Sequence, residues 1–192
     1  MIIVSGDSHV QQFMGRNPIC AGYPYCVPRD PFKCFWLGPR TCWNFMKNCK
    51  DQLLNILNEH WKPGDRLVVS CGEIDCRRHV VRQANLRNVA IEVVAAEVAA
   101  RYMEIMEEFK TWKPIALGLP PQMDAPQKDY EPQGFAKERN VAVNCFNGII
   151  SKHVPFWASP GQEDQSLVSD KVHVIGDHAR SIFLRLEKEI EK

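Results

Sequence analysis

A chain of 192 residues with 45% hydrophobic and 24% charged side chains is sized for one domain spanning residues 1–192, with enough apolar content to build a core. Twenty-four Lys and Arg against 23 Asp and Glu leave a formal charge of +1. The basic residues are scattered, which argues against nucleic acid or an anionic membrane as the main partner.

The chain opens with a short apolar run, Ile2 to Val4, that reads as a strand. It leads into Ser5, Gly6, Asp7 and Ser8, small turn-forming residues. The run is too short for a secretory signal, and no later stretch is long enough to span a bilayer. In an open parallel α/β sheet the carboxyl edge of the strands is where ligands bind, which makes Ser8 a candidate nucleophile. Residues 10–31 hold Pro18, Pro24, Pro28 and Pro31 among Gly15 and Gly22. That density of breakers predicts an irregular loop able to wall a site.

Lys33 to Leu37 predicts a second strand, ended by Gly38-Pro39. A helix follows over Trp43 to Trp61, with Met46, Cys49, Leu53, Ile56, Leu57 and His60 at helical spacing, and Pro63-Gly64 stops it. Arg66 to Ser70 is a third strand, and the densest polar cluster of the chain, residues 71–79, comes directly after it.

The longest predicted helix covers Leu86 to Lys110 and carries two apolar stripes. One is Leu86, Val89, Val93, Ala96, Ala100 and Met103; the other is Ile91, Val94, Val98, Tyr102, Ile105 and Phe109. Covering one sheet face needs a single stripe. The second stripe implies broad burial or a subunit interface, and the interface reading predicts a homo-oligomer through the 86–110 helix.

Pro114 to Gly118 is a fourth strand, and Phe135 to His153 a helix with Phe135, Ala142, Phe146, Ile149 and Ile150 inward. Val154 to Ala158 is a weaker fifth strand. Asp170-Lys-Val-His173 then precedes a final helix, Asp177 to Glu191. Strands alternating with helices predict an α/β fold, a parallel sheet with helices on both faces. A serine nucleophile needs a base and a group to orient it, and Asp170 and His173 are candidates for those roles.

Cysteine is the compositional oddity. Five of the eight, Cys20, Cys26, Cys34, Cys42 and Cys49, fall within thirty residues, and Cys71, Cys76 and Cys145 follow. No Cys-x-x-Cys occurs, so the paired spacing of common zinc sites is missing. Buried free thiols come first among the readings, ahead of disulfides within 20–49 and then metal.

Gly6-Asp7-Ser8 near the start and Asp170-x-x-His173 near the end resemble the first and last blocks of the SGNH hydrolases, also called GDSL esterases and lipases. The resemblance implies a three-layer, flavodoxin-like sheet of about five parallel strands. It implies a catalytic triad of Ser8, His173 and Asp170, with Gly38 at the position of the oxyanion glycine. The third block departs from the family pattern. Gly72-Glu73-Ile74-Asp75 keeps the glycine and aspartate, but Ile74 occupies the place of the donor asparagine and cannot donate a hydrogen bond. Arg77 or Arg78 could then substitute as a charged donor, Arg77 first because it lies two residues past Asp75, with an ion pair from Arg77 to Asp75 or Glu73 as the alternative. Glu73, Asp75 and Arg77 join Gly38 as the expected substrate and oxyanion group.

The implied substrate is a short acyl ester, such as an acetyl group on a carbohydrate, with no cofactor and no metal. The divergent third block resembles a subgroup associated with polysaccharide-related and viral proteins; with neither a secretory signal nor a membrane span expected, the location expected is cytoplasmic or virion-associated. Two rivals stand beside this reading. Asp7-Ser-His9, with Asp75, His79 and His173, could serve a metal-dependent phosphoesterase. A catalytically weak or inactive form of the fold could serve binding or assembly.

Overall fold

The computed structural model describes residues 1–13, 25–29, 31–123 and 133–159. Asp170, His173 and the expected final helix lie outside the described residues.

Among the described residues, six strands form one sheet in the order β2-β3-β1-β4-β5-β6. They are β1 (Ile2–Gly6), β2 (Tyr25–Arg29), β3 (Phe32–Trp36), β4 (Arg66–Ser70), β5 (Ile115–Leu117) and β6 (Phe156–Trp157). Five run parallel, and β2 pairs antiparallel with β3 at one edge. The expected α/β parallel sheet is therefore present.

The strand β2 lies where the sequence predicted only irregular chain. Pro28 sits inside it, opposite Lys33. An edge strand leaves one row of backbone groups without a partner strand, so a residue with no N–H can be accommodated there.

The helices are α1 (Cys42–His60), α2 (Val81–Arg87), α3 (Ile91–Glu108) and α4 (Ala136–His153). A π-helical turn, Asp75–Val80, runs directly into α2. The predicted 86–110 helix is thus two helices. Asn88 closes α2 in the left-handed conformation, which asparagine tolerates better than most residues. Thr41 precedes α1, and its amide donates to Asn44 Oδ1 at 3.1 Å.

Residues alternate along β1 between the two faces. Ile3 joins Leu67, Val69, Phe35 and Ala116 against α1, α3 and α4 in one large core. Ile2 and Val4 face the other way, with Val68, Leu117 and Trp157, and meet Val10 and Phe13 of the 3-10 turn Ser8–Phe13.

In the stripe that starts at Ile91, Ile91 is half-buried and Val94, Val98, Tyr102, Ile105 and Phe109 are buried in the chain's own core. Tyr102 also donates its hydroxyl to Val69 O at 2.7 Å. Of the two readings, broad burial describes these five side chains, which pack within the chain's own core. The other stripe is the outer one, with Leu86 69% exposed and Val93 46% exposed. Phe135, expected inward, is exposed because it precedes the first turn of α4 rather than lying on its inner face. Among the described residues, no helix is long and apolar enough to cross a membrane.

Candidate active site

Gly6, Trp36 and Ser70 are in register across the three central strands. The chain therefore leaves β1 at Asp7-Ser8, β3 at Leu37-Gly38 and β4 at Cys71-Gly72 on one level of the sheet's carboxyl edge. The strand β1 lies between β3 and β4, so Ser8 sits where the order of parallel strands reverses. That crevice is the usual ligand position in open α/β sheets.

Local chemistry holds the Ser8 turn. Asp7 is buried, and its Oδ1 accepts the His9 amide at 3.0 Å and the Ser70 hydroxyl at 2.9 Å. The Asp7 amide in turn donates to Ser70 O at 3.0 Å. His9 is also buried, with Nδ1 3.3 Å from Asp7 Oδ1. Ser8, one residue after this anchored aspartate, is half-buried.

Gly6 is dictated by close approach. A Cβ there would stand 1.8 Å from Ser70 O, and its φ of +149° is one that L side chains rarely adopt. The Leu37 amide donates to Gly6 O at 2.8 Å, which ties the Gly38 loop to the same strand end. Gly38 itself has φ +94°.

The Gly72-Asp75 block turns inward. Glu73 is buried, and its Oε1 accepts Arg77 Nε at 2.7 Å and Gln122 Nε2 at 3.3 Å. Of the two expectations for Arg77, the structure contains the ion pair with Glu73. Asp75 is completely enclosed, and its Oδ2 accepts the amide of Cys42, the first residue of α1, at 2.8 Å. A carboxylate at a helix N-terminus satisfies one of the orphan amides and suits the helix dipole. Burial raises the Asp75 carboxyl to about 7, against the lowering effect of the Cys42 donors.

Sequence reading missed Asn147 and Asn140, two turns apart on α4. Asn147 Oδ1 accepts the Leu119 amide, and its Nδ2 donates to Leu119 O, both at 2.9 Å. Asn140 grips Gln122 in the same two-bonded way at 2.7 and 2.8 Å. Together they clamp the segment leaving β5 and bring Gln122 to Glu73. Two polar residues seven apart on the inner side of a helix were the available signal.

Cys34, Cys42, Cys49, Cys71 and Cys76 are buried free thiols, the expected state. The metal-site rival fares differently. Among the described residues, the single group able to hold a metal ion is Cys42, Cys71 and Asp75, so Asp75 and His79 do not join Asp7 and His9 around one ion.

No family model matches the chain, and no curated protein matches it. Solved structures do. The aryl esterase of M. smegmatis aligns with a TM-score of 0.59 at 16% identity, covering 99% of this chain and 97% of its own. The acetylxylan esterase Axe2 of Geobacillus stearothermophilus aligns at 0.55 and 13% identity, over 96% and 92%. The carbohydrate acetylesterase Est24 of Sinorhizobium meliloti aligns at 0.52 and 16% identity, over 99% and 97%. The chain thus shares its α/β fold with these esterases. At these identities the likeness is one of architecture.

Proposed function

We propose that this protein is a serine esterase that removes short acyl groups, acetyl in particular, from a carbohydrate. The observation that carries the reading is the placement of Ser8. It follows the central strand at the carboxyl edge, where the order of parallel strands reverses, in a fold shared with esterases.

In this reading Ser8 Oγ attacks the ester carbonyl while His173 takes its proton. Asp170 orients the imidazole and stabilises its charged form. The carbonyl oxygen gathers negative charge as the tetrahedral intermediate forms, and the backbone amides of Ser8 and Gly38 are the donors assigned to it. His173 then returns the proton to the departing alcohol, and water releases the acyl group by the same route. Because Arg77 Nε is bonded to Glu73, Arg77 is given the task of holding the third block in place. The carbohydrate preference draws support from two of the structural relatives, an acetylxylan esterase and a carbohydrate acetylesterase.

The test is hydrolysis of a short-chain aryl ester and of an acetylated xylo-oligosaccharide, together with labelling by a fluorophosphonate. Wild type should label at Ser8, and Ser8→Ala should lose activity by about 10⁴ or more while remaining folded. Equal inertness of wild type and Ser8→Ala on both substrates, with no labelling, would replace the esterase by a binding module.

A further inference from the structure

Cys42 meets Cys71 and Asp75, 29 and 33 residues further along the chain, beneath the candidate active site. Cys71 is the first residue after β4, Cys42 is the first residue of α1, and Asp75 opens the π-helical turn. The two sulfurs are 3.6 Å apart, and they and a carboxylate oxygen of Asp75 all lie within 4.8 Å of one another. We propose that Cys42, Cys71 and Asp75 form a structural zinc site that fastens β4, α1 and the Gly72-Asp75 block together.

Geometry favours zinc over a disulfide. Tetrahedral zinc with bonds of about 2.3 Å to sulfur sets the two sulfurs about 3.8 Å apart, close to the separation found. A disulfide needs about 2.05 Å. Two thiolates and one carboxylate form a donor set for a borderline-soft divalent ion and a poor one for magnesium or calcium. Three protein ligands occupy three tetrahedral positions, which leaves the fourth for a water. All three residues are enclosed, so the ion would be taken up as the chain folds.

A second observation points the same way. One Asp75 oxygen is engaged by the Cys42 amide, and among the described residues no donor reaches the other, Oδ1, in hydrogen-bonding geometry. A buried carboxylate oxygen without a donor is costly. Asp7 and Glu73 add negative charge nearby and help to raise Asp75. A divalent cation would give that Asp75 oxygen a partner and bring the two thiols in as thiolates. Its binding releases the two thiol protons to solvent, and the carboxylate joins as the anion, so a charge of +2 meets three negative ligands.

The position gives the site a purpose independent of the esterase reading. Ser70, next to Cys71, carries the hydroxyl and carbonyl that hold Asp7. A metal at Cys71 would stiffen the strand end on which the Ser8 turn is built.

The experiment uses the full chain, unfolded and refolded under reducing conditions with zinc and, separately, with cobalt. Refolded wild type should carry one zinc per chain by elemental analysis, and the cobalt form should show a thiolate-to-metal charge-transfer band. Loss of groups that merely orient ligands weakens metal affinity by about 10–100-fold, so Cys71→Ser, Cys42→Ser and Asp75→Asn should each weaken zinc by more than about 100-fold. Cys145→Ser should keep full stoichiometry. Because a core variant can misfold, wild type is also melted before and after treatment with a chelator. Its Tm should fall on chelation and recover with zinc, whereas that of Cys71→Ser should not respond. Refolded wild type that holds no more zinc than Cys71→Ser, or native protein whose mass shows a Cys42–Cys71 disulfide, would overturn the proposal.

Discussion

The Ser70 hydroxyl donates to Asp7 Oδ1 at 2.9 Å across 63 residues of sequence, with both side chains buried. The bond ties the residue before Ser8 to the end of the neighbouring strand. Among the described residues Asp7 Oδ2 has no hydrogen-bond partner, so its contacts there run through Oδ1. Ser70→Ala removes one of those donors and leaves a buried carboxylate less satisfied, at a cost of about 1–3 kcal/mol. Urea unfolding should report that loss. Turnover of an aryl acetate should fall as well, because the turn carrying Ser8 loosens.

Gly6→Ala should fail outright. Its Cβ would sit 1.8 Å from Ser70 O, on backbone that cannot give way without parting β1 from β4. The expected penalty is more than about 4–5 kcal/mol, the extreme end for single substitutions. Circular dichroism and soluble yield would show it, and a folded Gly6→Ala protein of wild-type Tm would contradict the close approach.

Glu73 and Arg77 form a buried pair, with Nε 2.7 Å from Oε1. Removing Glu73 takes from the buried Arg77 the carboxylate at its Nε, and Glu73→Ala should destabilise by up to about 3–5 kcal/mol. Replacing both by well-packed apolar residues should cost much less. A double-mutant cycle by urea unfolding separates the two outcomes.

Val98→Glu distinguishes core from interface. A residue at a subunit contact would give a folded monomer, but Val98 is 1% exposed within the chain's own core. A carboxylate placed there has no partner, so the variant should unfold. Light scattering together with circular dichroism measures both properties on one sample.

Burial, reinforced by the charges of Arg78, Arg82 and Arg77, holds the His79 imidazole below its usual range. The unfolded chain therefore binds a proton more readily than the native one as pH falls through about 6.5, and stability declines with it. Between about pH 7.5 and pH 5.5, the urea midpoint of wild type should drop further than that of His79→Gln.

The parallel sheet was legible because apolar runs of strand length alternate with helical periods. Arg66 to Ser70 was bounded correctly on that signal alone, and α1 and α4 to within about a residue at each end. Such patterns are local, and local patterning determines secondary structure wherever one face must be buried. The same locality explains the errors. Pro28 reads as a strand breaker until its strand is known to be an edge. The two stripes around Val98 look alike in sequence, and only the packing of α3 on the sheet decides which one faces the core.

The sequence by itself determined which residue types were available for chemistry: a serine after the first strand, a glycine where two strands crowd, and acidic residues after β4. Only the tertiary structure decided what they do. Glu73 takes Arg77 and Gln122, Asp75 caps α1, and Cys42 comes to lie 3.6 Å from Cys71. Each of those meetings except the Glu73–Arg77 pair joins residues at least 29 apart in the chain. The reason is physical. Composition and periodicity record the forces along a few turns of chain, whereas buried polar partners are assigned by the packing of elements, where each enclosed donor or acceptor must find what the fold brings to it.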